Sequence, residues 1–413
     1  MYQSFNHFLF RTPLFSFDKL KKVSREKGEF TEILKNKYFQ EAVFIASPEL
    51  HKELLKYLEG KLTDKKESER LFDSLERYFS RMSTRCTPFG LFAGCSVGTI
   101  SNNEATTVIL EDSIQRHTRL DMYYLCTLSQ ELSKIAEIKN NLTYYPNTTI
   151  YPVGNKLRYI EYEYSKKRRR HKISAVQQSS LLKKILKIAE NGVKIAELSN
   201  YLITQDIPQE DALDFINELI DSQLLVSELS PSVTGDDFLD KIITILEALP
   251  VKSNILKQLN EIKTLLNQID ANEDSTISLY EDVKEKIKEI NIPFDENFIF
   301  QSDMTKGTVK ASIGQEIMED IKSAMTFLNR ITVENRNGDL VNFTRAFMER
   351  YEDKEVPLME ALDPEMGIGY PVNRVSKVES PLIDNFVIPS QTVDYSTIQI
   401  NHFQTLLFNK TIE

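Results

Sequence analysis

Residues Arg77 to Gly98 read RYFSRMSTRCTPFGLFAGCSVG, and they leave the backbone around them few options. Just upstream, Leu71, Phe72, Leu75, Phe79 and Met82 recur at helical spacing, which predicts a helix with a buried apolar stripe. Arg77, Arg81 and Arg85 form an i, i+4 row beside that stripe. Like charges at this spacing repel by about 0.2–0.5 kcal/mol per pair, and only Asp73, one turn earlier, offers local relief. Pro88 disfavours helix at Thr87 and removes a backbone donor, so the helix must stop near there. Gly90, Gly94 and Gly98 then allow tight turns or close backbone approach. A solvated arginine face before a buried strand explains this pattern; an anion held over the arginines explains it as well.

The rest of the chain reads as α+β, with mixed sheets and packed helices. Phe8, Phe10 and Leu14 around Arg11, followed by Pro13, predict an edge strand. Residues 48–59 predict a helix and 105–111 a strand, while Arg119-Leu120-Asp121 opens a further helix. Asp121 there suits an N-cap or a favourable dipole contact. Between 145 and 230, segments 149–153 and 156–164 predict two strands joined at Gly154-Asn155. Lys166 to His171 reads as a polar connector and Lys172 to Val176 as a third short strand. Helices follow near 178–190, 193–204 and 208–222, then a strand at Leu224 to Val226. This order resembles a winged helix, which can bind DNA or add a peptide to its sheet edge. Glu210, Asp211, Asp214 and Glu218 make the last helix acidic, which favours peptide over DNA. Residues 236–290 read as a charged helical arm, 296–303 as a strand ending at Asp303, and 313–331 as a helix. Three domains are expected: 1–144, a recognition subdomain at 145–230, and 231–413 as helical arm plus a continuation. After Ser380 the chain reaches Glu413 without an evident cap or closing element, which reads as an interrupted domain.

A formal charge of -10 argues against a surface that binds nucleic acid throughout, but not against a local basic site such as 19–27 or 166–172. Three cysteines without ligand or disulfide spacing, and no signal peptide or membrane span, fit a reducing cytoplasm. There is no P-loop, dinucleotide fingerprint or zinc-ligand spacing, and the five histidines are scattered. What remains is arginine, which clamps phosphate or carboxylate bidentately and suits positioning and charge stabilisation of an anionic substrate.

RMSTRCTPFGLFAGCSVG resembles the signature of the N-terminal domain of LanB-type lantibiotic dehydratases. FLFRTPLFS, RLDMYYL and ERYEDKEVPLMEALDPEMGIGYP resemble further motifs of that family, in the same order and across nearly the whole chain. The resemblance implies transfer of glutamate from glutamyl-tRNA, a co-substrate, onto Ser and Thr of a precursor peptide, with no bound cofactor or metal. A separate region then eliminates glutamate to leave dehydroalanine or dehydrobutyrine. Carried over by motif, Arg11, Arg81, Arg85, Thr87, Asp121 and, in looser surroundings, Asp303 are the implied catalytic set. The arginines would hold tRNA phosphates or the glutamyl carboxylate, Thr87 would hydrogen-bond at the reacting ester, and Asp121 would orient an arginine or deprotonate the acceptor. The implied leader site in 145–230 pairs a strand beside Ile173 and Ala175 and packs against Phe215 and Leu219. A homodimer, separate elimination and cyclase proteins, and a membrane-associated biosynthetic complex are compatible partners. Cys86 stands where proline is frequent in the family. A later arginine of the glutamylation domain and the elimination region have no counterpart, so the resemblance implies an N-terminal fragment or truncated product. The alternatives are a non-catalytic leader-binding module and, against the charge pattern, a DNA-binding winged helix.

Overall fold

The structure, a computed structural model, describes residues 2–25, 27–62, 64–101, 105–165, 168–232, 234–251, 254–272, 277–332, 338–372 and 402–412. It is α+β as expected, and it divides into two compact units, residues 1–334 and 335–413. The strands are β1 His7–Pro13, β2 Ala93–Ser101, β3 Thr107–Leu120, β4 Tyr144–Pro146, β5 Tyr151–Val153, β6 Lys156–Ser165, β7 Arg168–Gln177, β8 Leu225–Ser227 and β9 Phe300–Gly314. They form sheets of order β1-β2-β9-β3, β4-β8 and β5-β6-β7.

The apolar stripe forms as its spacing requires. The helix Lys65–Thr84 is capped by Asp64, whose carboxylate accepts from the amides of Lys66 and Glu67 at 2.7 and 3.1 Å. Leu71, Leu75, Phe79 and Met82 are buried against Phe15, Phe30 and Phe39. The helix ends at Thr84, ahead of Pro88, and Arg85 is already extended, so the arginine row breaks after Arg81. The glycines divide by role. Gly90 has φ +51° in the turn, whereas a Cβ on Gly94 would lie 2.5 Å from the Met304 carbonyl oxygen, and one on Gly98 would lie 2.4 Å from the Phe8 ring. Small size there lets β2 fit between its neighbours.

The long strands differ from the sequence expectation. The strand expected at 105–111 runs on through Leu120, taking in Arg119 and Leu120, which had been read as opening a helix. Likewise Asp303 is not a strand end: β9 continues past it to Gly314. Both strands carry polar residues on one face that stays in contact with solvent, so hydropathy alone understates their length. In β3, Ile114, Arg116, Thr118 and Leu120 are buried while Gln115, His117 and Arg119 are exposed. The helices Asn254–Ala271 and Ile277–Ile290 pair with each other, and the first packs on β3, so the helical arm is part of the body.

Within 145–230, the tight turn at Gly154 and the helices Ser180–Ala189, Ile195–Ile203 and Gln209–Asp221 form as expected. Arg168 to His171 is not a connector: it pairs with Tyr162 to Ser165 and doubles the length of the expected third strand. A hairpin arm wet on both faces accepts such residues, because neither face must be apolar. Lys166 and Lys167 lie outside the described residues. The closing strand β8 pairs with β4, not with the hairpin.

In the second unit, the helices Gly338–Tyr351 and Leu358–Leu362 precede a loop held by Arg350, which donates to the carbonyls of Met366 and Gly367 at 2.6 Å. Residues 373–401 lie outside the described residues, and His402–Ile412 is a helix. No helix among the described residues is long and apolar enough to cross a membrane.

One buried group gives stability a pH dependence. His51, 3 % exposed, lies edge-on to Phe44 with ring centroids 5.4 Å apart. Burial lowers its pKa below the ordinary 6.5; Glu281 opposes that shift and Lys284 reinforces it. The unfolded chain therefore takes up the proton more readily, so stability is complete above pH 6.5 and falls as pH drops towards the folded pKa. Urea midpoints between about pH 5 and 7 should decline with acid in the wild type, and the decline should be weaker in His51→Leu.

Candidate functional site

The four-stranded sheet gathers most of the motif residues at one end. β1 and β3 finish where β2 and β9 begin, because β2 runs antiparallel to β1 and parallel to β9. Arg11 pairs with Cys95, Cys95 aligns with Thr305, and Thr305 pairs with Gln115. Laterally aligned residues share a sheet face, so Arg11 stands on the open face with Thr305, Asp303, His117 and Arg119. Asp303 lies one strand across from β2 and two residues further along, which puts its Cα about 12 Å from that of Arg11 by ideal strand spacings. Arg119 reaches Asp303 with Nη2 at 3.2 Å, and His117 Nε2 lies 3.2 Å from Thr305 Oγ1. The Arg119–Asp303 pair is half-exposed on both sides, so its role is orientation more than stability.

The helix Lys65–Thr84 delivers its arginines to the same end. The amide of Phe15 donates to the Met82 carbonyl at 2.9 Å and that of Leu14 to the Phe92 carbonyl at 2.8 Å. The exit of β1, the end of the helix and the loop into β2 are thereby tied together. Arg77, Arg81 and Arg85 line one open cleft of about 1310 Å3 together with Asp73, Glu76 and Phe89. The Arg81 guanidinium lies 4.3 Å from the Phe89 ring centre. Phe89 packs edge-on to Phe92 and is 47 % exposed. Among the described residues, Arg11, Arg77, Arg81 and Arg85 have no carboxylate partner. The anticipated relief by Asp73 is therefore not an ion pair. Arg81 instead gains from the negative end of the helix dipole and from the Phe89 ring. Thr87 is exposed in the loop two residues after Arg85.

Asp121 sits past the end of β3. Its amide donates to the Ile299 carbonyl at 2.7 Å, and its Oδ1 accepts from the Tyr123 amide at 2.7 Å, capping the helix Met122–Lys134. The structural explanation for this residue thus holds, and Oδ2 is left for another partner. Asp121→Ala should cost about 1 kcal/mol in thermal or urea unfolding, whereas Asp121→Asn keeps the cap and costs little. A loss of activity in the Asn variant at unchanged stability identifies a chemical use of the carboxylate.

The structure thus joins Arg11 and Asp303 on one face and Arg81 and Arg85 in one cleft, with Asp121 beyond the same sheet end. Arg119 and Phe89, which the sequence reading left without a role, contact members of these groups. Arg119 was within a motif already quoted, and strand alternation through Leu120 would have found it.

The second candidate surface is the β5-β6-β7 sheet. Beyond β5, the free edge of β6 is closed by side chains: Asn147 donates to the Ile160 carbonyl at 2.9 Å, Thr149 accepts from the Ile160 amide at 2.9 Å, and Gln223 bonds both the amide and carbonyl of Tyr162. The outer edge of β7 has no strand partner among the described residues. Ile173 and Ala175 are exposed on β7, Phe215 is half-buried, and Leu219 is 4 % exposed in the core, where it offers little surface.

Comparison with known proteins supplies the family. The family described as "Lantibiotic dehydratase, N terminus" matches residues 35–391. The chain belongs to that family. Among its relatives, the nisin biosynthesis protein NisB of Lactococcus lactis subsp. lactis is 25 % identical over 84 % of this chain. The subtilin biosynthesis protein SpaB of Bacillus subtilis is 24 % identical over 90 % of it. The chain spans 35 % and 36 % of those proteins, about a third of their length. Its fold is that of the tRNA-dependent lantibiotic dehydratase MibB from Microbispora, with a TM-score of 0.72 at 22 % identity, covering 89 % of this chain and 35 % of that one. The glutamylation domain TbtB from thiomuracin biosynthesis aligns with a TM-score of 0.59 at 16 % identity, covering 82 % of this chain and 41 % of that one.

Proposed function

We propose that this chain carries the glutamylation chemistry of a lantibiotic dehydratase. A Ser or Thr hydroxyl of a precursor peptide attacks the glutamyl ester carbonyl of glutamyl-tRNA. The bond to the ribose oxygen breaks, a new side-chain ester forms, and the hydroxyl proton passes to the departing ribose. The observation that carries this reading is the pair Arg81 and Arg85, without carboxylate partners among the described residues, in an open cleft at the motif-bearing end of the sheet. Such guanidinium groups suit tRNA phosphates or the glutamyl carboxylate and resist deprotonation. Thr87 is accessible for a hydrogen bond at the reacting ester. Arg119 orients Asp303, and Arg11 adds positive charge on the open face. Asp121 keeps one carboxylate oxygen for orienting an arginine or accepting the hydroxyl proton. MibB is described as tRNA-dependent and TbtB as a glutamylation domain, which supports the choice of co-substrate. Dependence on aminoacyl-tRNA implies a cytoplasmic reaction.

The subdomain 145–230 recognises the leader of the precursor in this reading. The outer edge of β7, which pairs with no further strand among the described residues, accepts an added strand, with Ile173, Ala175 and Phe215 offering apolar contact. The deciding experiment incubates precursor peptide and glutamyl-tRNA with this chain, and in parallel with a version extended by any downstream coding sequence. Glutamate adducts on Ser or Thr, seen by mass spectrometry, are the expected result; no adduct in either arm overturns it. The same open edge also favours a second reading, a leader-binding module without chemistry. That reading predicts leader binding that survives Arg81→Ala with Arg85→Ala and an absence of tRNA binding.

A further inference from the structure

The glutamylation reading leaves the basic run of the hairpin unused. Strands β6 and β7 carry six Lys or Arg (Lys156, Arg158, Arg168, Arg169, Arg170 and Lys172) against two acids, Glu161 and Glu163. Lys172 lies 3.0 Å from Glu161 and 3.9 Å from Glu163, and two acids cannot balance six cations. This excess of positive charge sits on a chain whose formal charge is -10.

Geometry sharpens the contrast. β5 covers only residues 156–158 of β6, and the side chains of Asn147, Thr149 and Gln223 support it as far as Tyr162. Further out, β6 and β7 pair only with each other in the described sheet, through Glu163 with Arg170 and Ser165 with Arg168. The distal ribbon therefore extends beyond the strands and side chains that support its base. Along β7, Arg170 and Lys172 alternate with Arg169 and His171 between the two faces, so side chains on one face recur about every 6.6 Å. Arg170, His171 and Lys172 are exposed, and the Arg169 guanidinium lies 4.4 Å from the Tyr162 ring centre, which stiffens the ribbon.

We propose that this distal ribbon is an RNA-backbone grip that holds the body of the tRNA by its phosphates, apart from the arginine cleft. The proposal rests on the glutamyl-tRNA reading and deepens it. A protein of net negative charge repels a polyanion over most of its surface, so binding requires a local positive foothold. The cleft alone is a poor one, because Asp73 and Glu76 share its lining with the three arginines. A ribbon with cations on both faces suits a regular array of phosphates better than the sparse acids of a peptide. The leader edge proposed around Ile173 and Ala175 lies nearer the base of the ribbon, so both partners can be held at once.

The test compares this chain with its Arg168→Gln/Arg169→Gln/Arg170→Gln variant, using deacylated glutamate-specific tRNA as the probe across a salt series. Loss of two or three phosphate contacts should raise Kd at least about tenfold near 0.1 M salt and flatten the log K against log salt slope by about 1.5–2.5. Binding of a fluorescent leader peptide should be unchanged, and the charge-preserving Arg169→Lys/Arg170→Lys variant should keep most of the tRNA affinity. Equal Kd and slope for wild type and Gln variant overturn the grip and leave the glutamylation reading intact. A loss of leader affinity with unchanged tRNA affinity assigns the ribbon to an acidic peptide and also overturns it. No tRNA binding by the wild type overturns the grip together with the reading on which it rests.

Discussion

Arg116→Met is expected to destabilise the first unit by about 3–5 kcal/mol, the range for stranding a buried charge. Arg116 and Glu41 have side chains only 1 % exposed, and they share two hydrogen bonds of 2.7 Å. A third guanidinium nitrogen donates to the Asn272 carbonyl at 2.7 Å, and the Tyr280 hydroxyl donates to Glu41 at 3.4 Å. The pair thus ties the helix Lys37–Ala46 to β3 and to the junction of the two helices packed beside it. Burial works against the charge on Arg116, but the bonds from Glu41 outweigh it and hold the proton more tightly than on a free guanidinium. Methionine fills much of the volume yet leaves the Glu41 carboxylate without a countercharge. Removing both ends in Glu41→Leu/Arg116→Met should recover most of the loss, since a packed apolar pair often equals a buried ion pair. Urea unfolding followed by far-UV circular dichroism measures both. A single-variant loss below about 1 kcal/mol would mean that water or rearrangement satisfies Glu41.

Arg81→Ala should lower glutamyl transfer about 10²–10³-fold, comparable to removing one preorganised donor from a developing charge. Its effect on stability should stay within about 1 kcal/mol, because the half-exposed side chain gives up its contacts with the Phe89 and Phe92 rings and a favourable place at the helix end. Arg81→Lys should remain strongly impaired, since a point charge does not reproduce a planar bidentate fork. Single-turnover transfer to the precursor peptide, with circular dichroism as a control for folding, reads out both effects. A lysine variant with full activity would assign Arg81 a charge role without directional recognition.

Local sequence was most informative where neighbours decide the structure. The stripe from Leu71 to Met82, the stop ahead of Pro88, the cap at Asp121 and the turn at Gly154 depend on residues a few positions apart, and each formed. It was least informative for long strands. Nothing local shows that β3 pairs with β9, where Arg119 meets Asp303 across 184 positions. Alternation reveals which face of a strand is buried, not which strand lies beside it. The basic run from Arg168 to His171 looked like a loop because its polarity is equally compatible with a ribbon in water on both faces.

Sequence by itself therefore determined the helix that carries Arg77 and Arg81, its end before Pro88, and the motifs that bind this chain to its family. Only the tertiary structure decided that Arg11 and Asp303 share a face at the same sheet end as the arginine cleft, and that the basic run is a strand on a projecting ribbon. The division follows from range. Helix periodicity, capping and proline sterics act within a turn or two, whereas strand partners are chosen by a global balance of burial and chain-closure entropy.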